Sequence, residues 1–121
     1  MNSRERVLAA VNFRKPDRIP IDLGAIRASG INAVVYDELK KRMGIDSPTK
    51  IHDTMQILAE VELDMLRHIH ADVVPLDAFD ATWSGQPASA GTQRQLFCGL
   101  DVQFPPDARI TVEDDGGWAL H

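Results

Sequence analysis

The opening of the chain constrains its fold most, because a helix, a helix stop and an apolar strand follow one another within residues 3–24. The stretch SRERVLAAV places Val7, Leu8 and Val11 at helical spacing behind Ser3, a residue type suited to capping a helix N-terminus. That helix is expected to run to about Phe13. Pro16 forbids continuation, since it has no N–H and drives the residue before it toward extended geometry. The charged turn Lys15-Pro16-Asp17-Arg18 then leads into Ile19-Pro20-Ile21-Asp22-Leu23, a short strand closed by Gly24. Pro20 cannot donate to a ladder, which favours an edge position for such a strand.

Two further helices are expected. From Ile31 to Gly44 the residues Ile31, Val34, Val35 and Leu39 form one stripe, with Lys40, Lys41 and Arg42 in the last turn and a glycine able to take the left-handed capping conformation. From Thr54 to His70, Leu58, Val61, Met65 and Ile69 share a side, and Asp53 is placed to accept from the open N–H groups at the start. Ala71-Asp72-Val73-Val74-Pro75-Leu76 follows as a buried-type strand. Strand, helix, helix, strand is the order a parallel α/β sheet requires, because parallel strands need long crossovers. The strands Ile19–Leu23 and Asp72–Leu76 are therefore expected to lie parallel. Residues 77–104 show no regular pattern. Arg109–Val112 and Trp118–Leu120, separated by a stretch containing Asp115-Gly116, read as a β-hairpin.

The 121 residues suit a single domain, and 44% hydrophobic content allows a packed core. A formal net charge of -5 with both signs interspersed argues against a nucleic-acid partner, whose binding draws on clustered Lys and Arg. Cys98, the single cysteine, excludes an internal disulfide and suits a reducing compartment. Arg4, Glu5 and Arg6 interrupt the place where a secretory signal would carry its apolar run. No apolar stretch approaches the roughly 18 residues of a membrane span. A cytoplasmic location is expected.

In order along the chain, SRERVLAAV, KPDRIPIDLG, IHDTMQILAEVE, ADVVPLD and DDGGWAL resemble the N-terminal part of the uroporphyrinogen decarboxylase-like superfamily. That resemblance implies an α/β fold, the N-terminal part of a (β/α)8 TIM barrel with an inserted β-hairpin near the C-terminus. Such a barrel needs about 250 residues, so residues 1–121 are expected to form a partial, truncated barrel domain, inactive alone. The superfamily is enzymatic. It holds cofactor-free decarboxylases of carboxylated tetrapyrroles in porphyrin biosynthesis and, as the alternative, corrinoid-dependent methyltransferases. A non-catalytic small α/β domain is the third reading.

The resemblance also implies site residues. In the decarboxylases the first strand is followed by an Arg-Gln-Ala-Gly-Arg-Tyr loop whose arginines meet substrate carboxylates. This chain has Arg27-Ala28-Ser29-Gly30-Ile31, keeping the first arginine and the glycine, with Ile31 in place of the second arginine. Arg27 is thus the candidate substrate-binding residue, since a guanidinium matches an anionic small molecule bidentately; the competing reading is a solvated or ion-paired loop arginine. Asp77, directly after the ADVVPL strand, is the candidate catalytic aspartate, with Asp80 close in register. An ionised carboxylate there would stabilise positive charge developing on a pyrrole; the competing reading is a loop aspartate closing a local turn.

No metal is expected for the decarboxylase. The methyltransferase alternative implies zinc and a corrinoid protein partner, with His and Cys ligands falling beyond His121. His68 and His70, two apart at a helix end, point in different directions. Cys98 reads as a small buried hydrophobe, and Trp83 and Trp118 as packing residues.

Overall fold

The computed structural model describes residues 1–75, 91–106, 108–114 and 117–120. Asn2, one position before Ser3, caps the first helix: its side chain accepts from the Glu5 N–H at 2.8 Å while Glu5 accepts from the Asn2 N–H at 3.0 Å. This reciprocal box satisfies two donors that a helix start leaves open. Helix α1 therefore spans Ser3–Val11.

Helix α2, Ala33–Met43, begins at an Asn32 cap and ends at Gly44, whose φ of 68° provides the left-handed stop expected from the sequence. Its buried face is not the expected stripe. Ala33, Tyr36 and Lys40 point inward, while Val34 and Val35 are exposed. The helix is turned because Lys40 finds carbonyl and carboxylate partners inside, so the inward face is chosen by hydrogen bonding as well as by hydropathy.

The expected helix over residues 54–70 exists only at its end, as α3, Leu63–His68. Its first part is replaced by a turn and strand β2, Leu58–Ala59, which pairs antiparallel with the preceding strand β1, Thr49–Asp53. Asp53 explains the difference. Its Oδ1 accepts from the N–H groups of Met55 at 3.0 Å and Gln56 at 2.8 Å, closing a turn in competition with helix propagation.

Strands β3, Thr92–Gln95, and β4, Asp101–Phe104, form a second antiparallel pair within the region expected to lack regular structure. Strand β4 joins β1 in parallel through Thr49 and Val102, giving a mixed sheet of order β2-β1-β4-β3. The expected C-terminal hairpin is present as β5, Ile110–Val112, paired antiparallel with β6, Trp118–Leu120. Among the described residues the fold is thus mixed α/β, three α-helices with a small mixed sheet and a separate hairpin.

The segments expected as parallel strands lie side by side without forming a ladder. The Asp72 N–H donates to the Ile21 carbonyl at 2.8 Å, and the Ile21 N–H donates to the Asp72 side chain at 3.0 Å. A side chain occupies the place of a ladder carbonyl, and Pro20 has no N–H to extend the pairing. Leu76, the last residue of the second expected strand, lies outside the described residues.

Tyr36 of α2, Met65 and Leu66 of α3, and Ile51, Val102 and Phe104 of the sheet meet in one core. Each large side chain buried there contributes about 1.5 to 3 kcal/mol. Two glycines separate two kinds of backbone constraint. At Gly44 an added Cβ meets open space, so Gly44→Ala pays only for the left-handed conformation. At Gly24, φ is 79° and an added Cβ would lie 2.6 Å from Val61 Cγ2. In chemical denaturation Gly44→Ala should lose about 1 kcal/mol and Gly24→Ala about 2 to 3 kcal/mol; equal losses would show that Val61 yields freely.

Candidate functional site

Residues 22–30 fold into a loop held by its own hydrogen bonds. Asp22 Oδ1 accepts from the Ala25 N–H at 3.1 Å, the Gly24 N–H donates to the Ser29 carbonyl at 2.9 Å, and the Gly30 N–H donates to the Arg27 carbonyl at 3.1 Å. These bonds wind Arg27–Ser29 into a single 3₁₀ turn. The following residues run beside the β1–β2 turn, where the Ala33 N–H donates to the Ile57 carbonyl and the Ala59 N–H to the Ile31 carbonyl, both at 2.9 Å. The loop is therefore fastened to the end of β1, and Arg27 is brought to Asp53.

Arg27 Nε stands 2.9 Å from Asp53 Oδ2. The two partners differ in exposure: the Asp53 side chain is 7% exposed and that of Arg27 is 67%. Asp53 is fixed from behind, because its other oxygen already accepts from the two turn N–H groups. A carboxylate so buried and so fully hydrogen-bonded has one orientation to offer. Among the described residues, the terminal nitrogens of Arg27 have no further partner. A planar fork of N–H donors is thus presented outward from an anchored guanidinium, a geometry suited to a carboxylate. Ile57, in the same turn, has a φ of 54°. For a β-branched residue that region costs on the order of 1 to 3 kcal/mol.

Two other charged clusters are bound up internally. Asp72, its side chain fully buried, accepts from both Arg6 and Arg18, the latter from Nη1 at 2.6 Å. Arg6 also donates from Nε to Asp17 at 2.6 Å and from Nη2 to the Met1 carbonyl at 2.7 Å. Arg18 reaches the His70 carbonyl at 2.9 Å. The Arg6 hydrogen bond holds the Asp17 carboxyl well below its usual range, and the same bond raises Arg6. In the second cluster, Lys40 Nζ donates to Glu62 at 2.8 Å and to the Ser47 carbonyl at 2.7 Å. Tyr36 beside it is pushed up to about 12, chiefly by burial. Its hydroxyl accepts from the Glu62 N–H at 3.0 Å.

Of the residues singled out from the sequence, Arg27 is in the loop just described, whereas Asp77, Asp80 and Trp83 lie outside the described residues. Cys98 is exposed in the β3–β4 turn, which corrects the expectation of a buried hydrophobe. A short turn between two-stranded neighbours has no interior in which to place it. His68 and His70 are both exposed, and His70 adopts a φ of 54°. Among the described residues no group of three or more His, Cys, Asp or Glu side chains converges as metal ligands. No helix among them is long and apolar enough to cross a membrane.

Asp53 was missed as a site residue because an acid before an apolar run also fits a helix cap. The signal for the strand was the alternation in Thr49-Lys50-Ile51-His52-Asp53, whose odd positions are the buried ones. The chain matches no protein-family model, no curated protein and no solved structure.

Proposed function

We propose that this chain is a uroporphyrinogen decarboxylase-like protein in which Arg27 holds a carboxylate of an anionic small molecule, with a carboxylated tetrapyrrole as the substrate class. The observation that carries this reading is the anchored, outward-facing guanidinium: Nε is 2.9 Å from a buried aspartate while the side chain remains 67% exposed. The resemblance supplies the substrate class, and the position of Arg27 just after the Ile19–Leu23 segment agrees with it. The mixed α/β fold supports the reading only at the level of class. A cytoplasmic setting goes with the same proposal.

Calorimetric titration with uroporphyrin, an octacarboxylate, tests it. Arg27→Ala should weaken binding on the order of tenfold, because hydrogen bonds to charged groups contribute about 1.5 kcal/mol or more. Arg27→Lys keeps the charge without the planar fork and should fall between the two. Unchanged affinity in Arg27→Ala would remove this site from the proposal.

A further inference from the structure

We infer that Asp53 is a positioning residue for Arg27, holding the guanidinium by an ion pair at Nε so that its terminal nitrogens are left to meet an incoming carboxylate. The inference rests on the proposed anion-binding role of Arg27 and adds the group that directs it.

A guanidinium can offer a carboxylate either its side edge, with Nε and one terminal nitrogen, or its end, with both terminal nitrogens. Here Nε forms an ion pair with Asp53 Oδ2 at 2.9 Å, so the Nε side of the guanidinium is held by charge attraction and the terminal nitrogens are left for a ligand. Asp53 itself cannot follow the arginine outward. Its side chain is 7% exposed, and Oδ1 is held by the N–H groups of Met55 and Gln56 at 3.0 and 2.8 Å. An arginine on an exposed loop would otherwise sample many rotamers and lose that freedom on binding. The loop backbone is also set, through the Gly24–Ser29 and Gly30–Arg27 hydrogen bonds, so the anchor restrains a side chain whose base is already placed.

Position and charge make opposite demands on Asp53, and this gives the test its sign. Asp53 is negative, like the ligand, and charge alone says that neutralising it strengthens anion binding. Positioning says that the same change weakens it. Asp53→Asn is the clean variant, since the amide oxygen can still accept from Met55 and Gln56 while its NH2 group presents donors to Arg27 Nε.

Uroporphyrin titration by calorimetry on the full chain is expected to show Asp53→Asn weakened about threefold to tenfold, the equivalent of ordering one rotamer-rich side chain during binding. In an Arg27→Ala background the Asp53→Asn change should produce no further weakening. Far-UV circular dichroism confirms that each variant is folded. A second measurement needs no variant: 15N relaxation of the Arg27 Nε–Hε group in the free protein should report a restrained side chain, with an order parameter near that of the backbone. Arg27-dependent binding that is unchanged or tighter in Asp53→Asn overturns the positioning role alone, as does a freely mobile Arg27 Nε. Binding that is the same with and without Arg27 overturns the anion-site reading, and this inference with it.

Discussion

Asp72→Ala is expected to lower the unfolding free energy by about 3 to 5 kcal/mol, the usual loss when one partner of a buried ion pair is removed. The Asp72 carboxylate is fully buried between Arg6 and Arg18 and also accepts from the Ile21 N–H at 3.0 Å. Its removal leaves an almost buried guanidinium at Arg6 facing only Asp17 and the Met1 carbonyl. It also separates α1, the Asp17-Arg18 turn and the segment after α3, which meet at this one side chain. Against a typical total of about 5 to 15 kcal/mol the loss is large. Urea denaturation should show a lower midpoint at an unchanged slope. A loss below about 1 kcal/mol would mean that the cluster behaves as solvent-screened surface pairing.

Asp72 also gives the stability a definite pH dependence. Burial pushes its carboxyl up, but the Ile21 N–H, the Ser3 hydroxyl and the Arg6 and Arg18 guanidinium groups outweigh burial and hold it down to about 2. Its pKa is therefore lower folded than unfolded, so its contribution is complete above about pH 4 and fades as the pH falls toward 2. Asp17, held low by Arg6, adds in the same direction. In Asp72→Asn, unfolding followed between pH 5 and 2 should lose much of this slope.

The second large effect is expected at Lys40. This lysine is 1% exposed, with Nζ bonded to Glu62, the Ser47 carbonyl and, at 3.3 Å, the Pro48 carbonyl. It also stands 5.5 Å from the centre of the Tyr36 ring. Lys40→Ala should cost about 3 kcal/mol, since it opens a cavity and strands acceptors on α2's neighbours. Lys40→Met retains the packed stem and should lose about half as much. A double-mutant cycle with Glu62→Gln should give a coupling above about 1 kcal/mol. Additive single losses would assign the effect to packing alone.

Where local chemistry decides the structure, the sequence was readable. Gly44 ends α2 because only its own backbone freedom is needed, and the pairing of β5 with β6 follows from two short apolar runs close together in sequence. Where partners distant in sequence decide, it was not. Lys40 belonged to a polar last turn until Glu62 and the Ser47 carbonyl drew it inward. Residues 54–62 carry apolar side chains at spacings that suit a helix, yet Asp53 closes a turn and Ala59 pairs with Ile51. Arg27 stands out in the sequence by chemical type and position, whereas its ion pair with Asp53 is hidden because that aspartate also suits a helix cap. Strand β3 consists of Thr92-Gln93-Arg94-Gln95, with no apolar alternation to reveal it; pairing with β4 makes it a strand.

The sheet order has a consequence for how the chain acquires its fold. Pairs β1–β2 and β3–β4 each join neighbours in sequence, while the single parallel ladder between Thr49–Lys50 and Val102–Gln103 joins segments far apart. Local pairs close at small entropic cost, whereas the long connection must be gathered in before the parallel ladder rewards it. Two hairpins should therefore form early and dock late, with docking setting the folding rate. The same seam joins the two central strands and carries the buried Ile51, Val102 and Phe104, so the amides of β1 and β4 that face each other should exchange with solvent together and late.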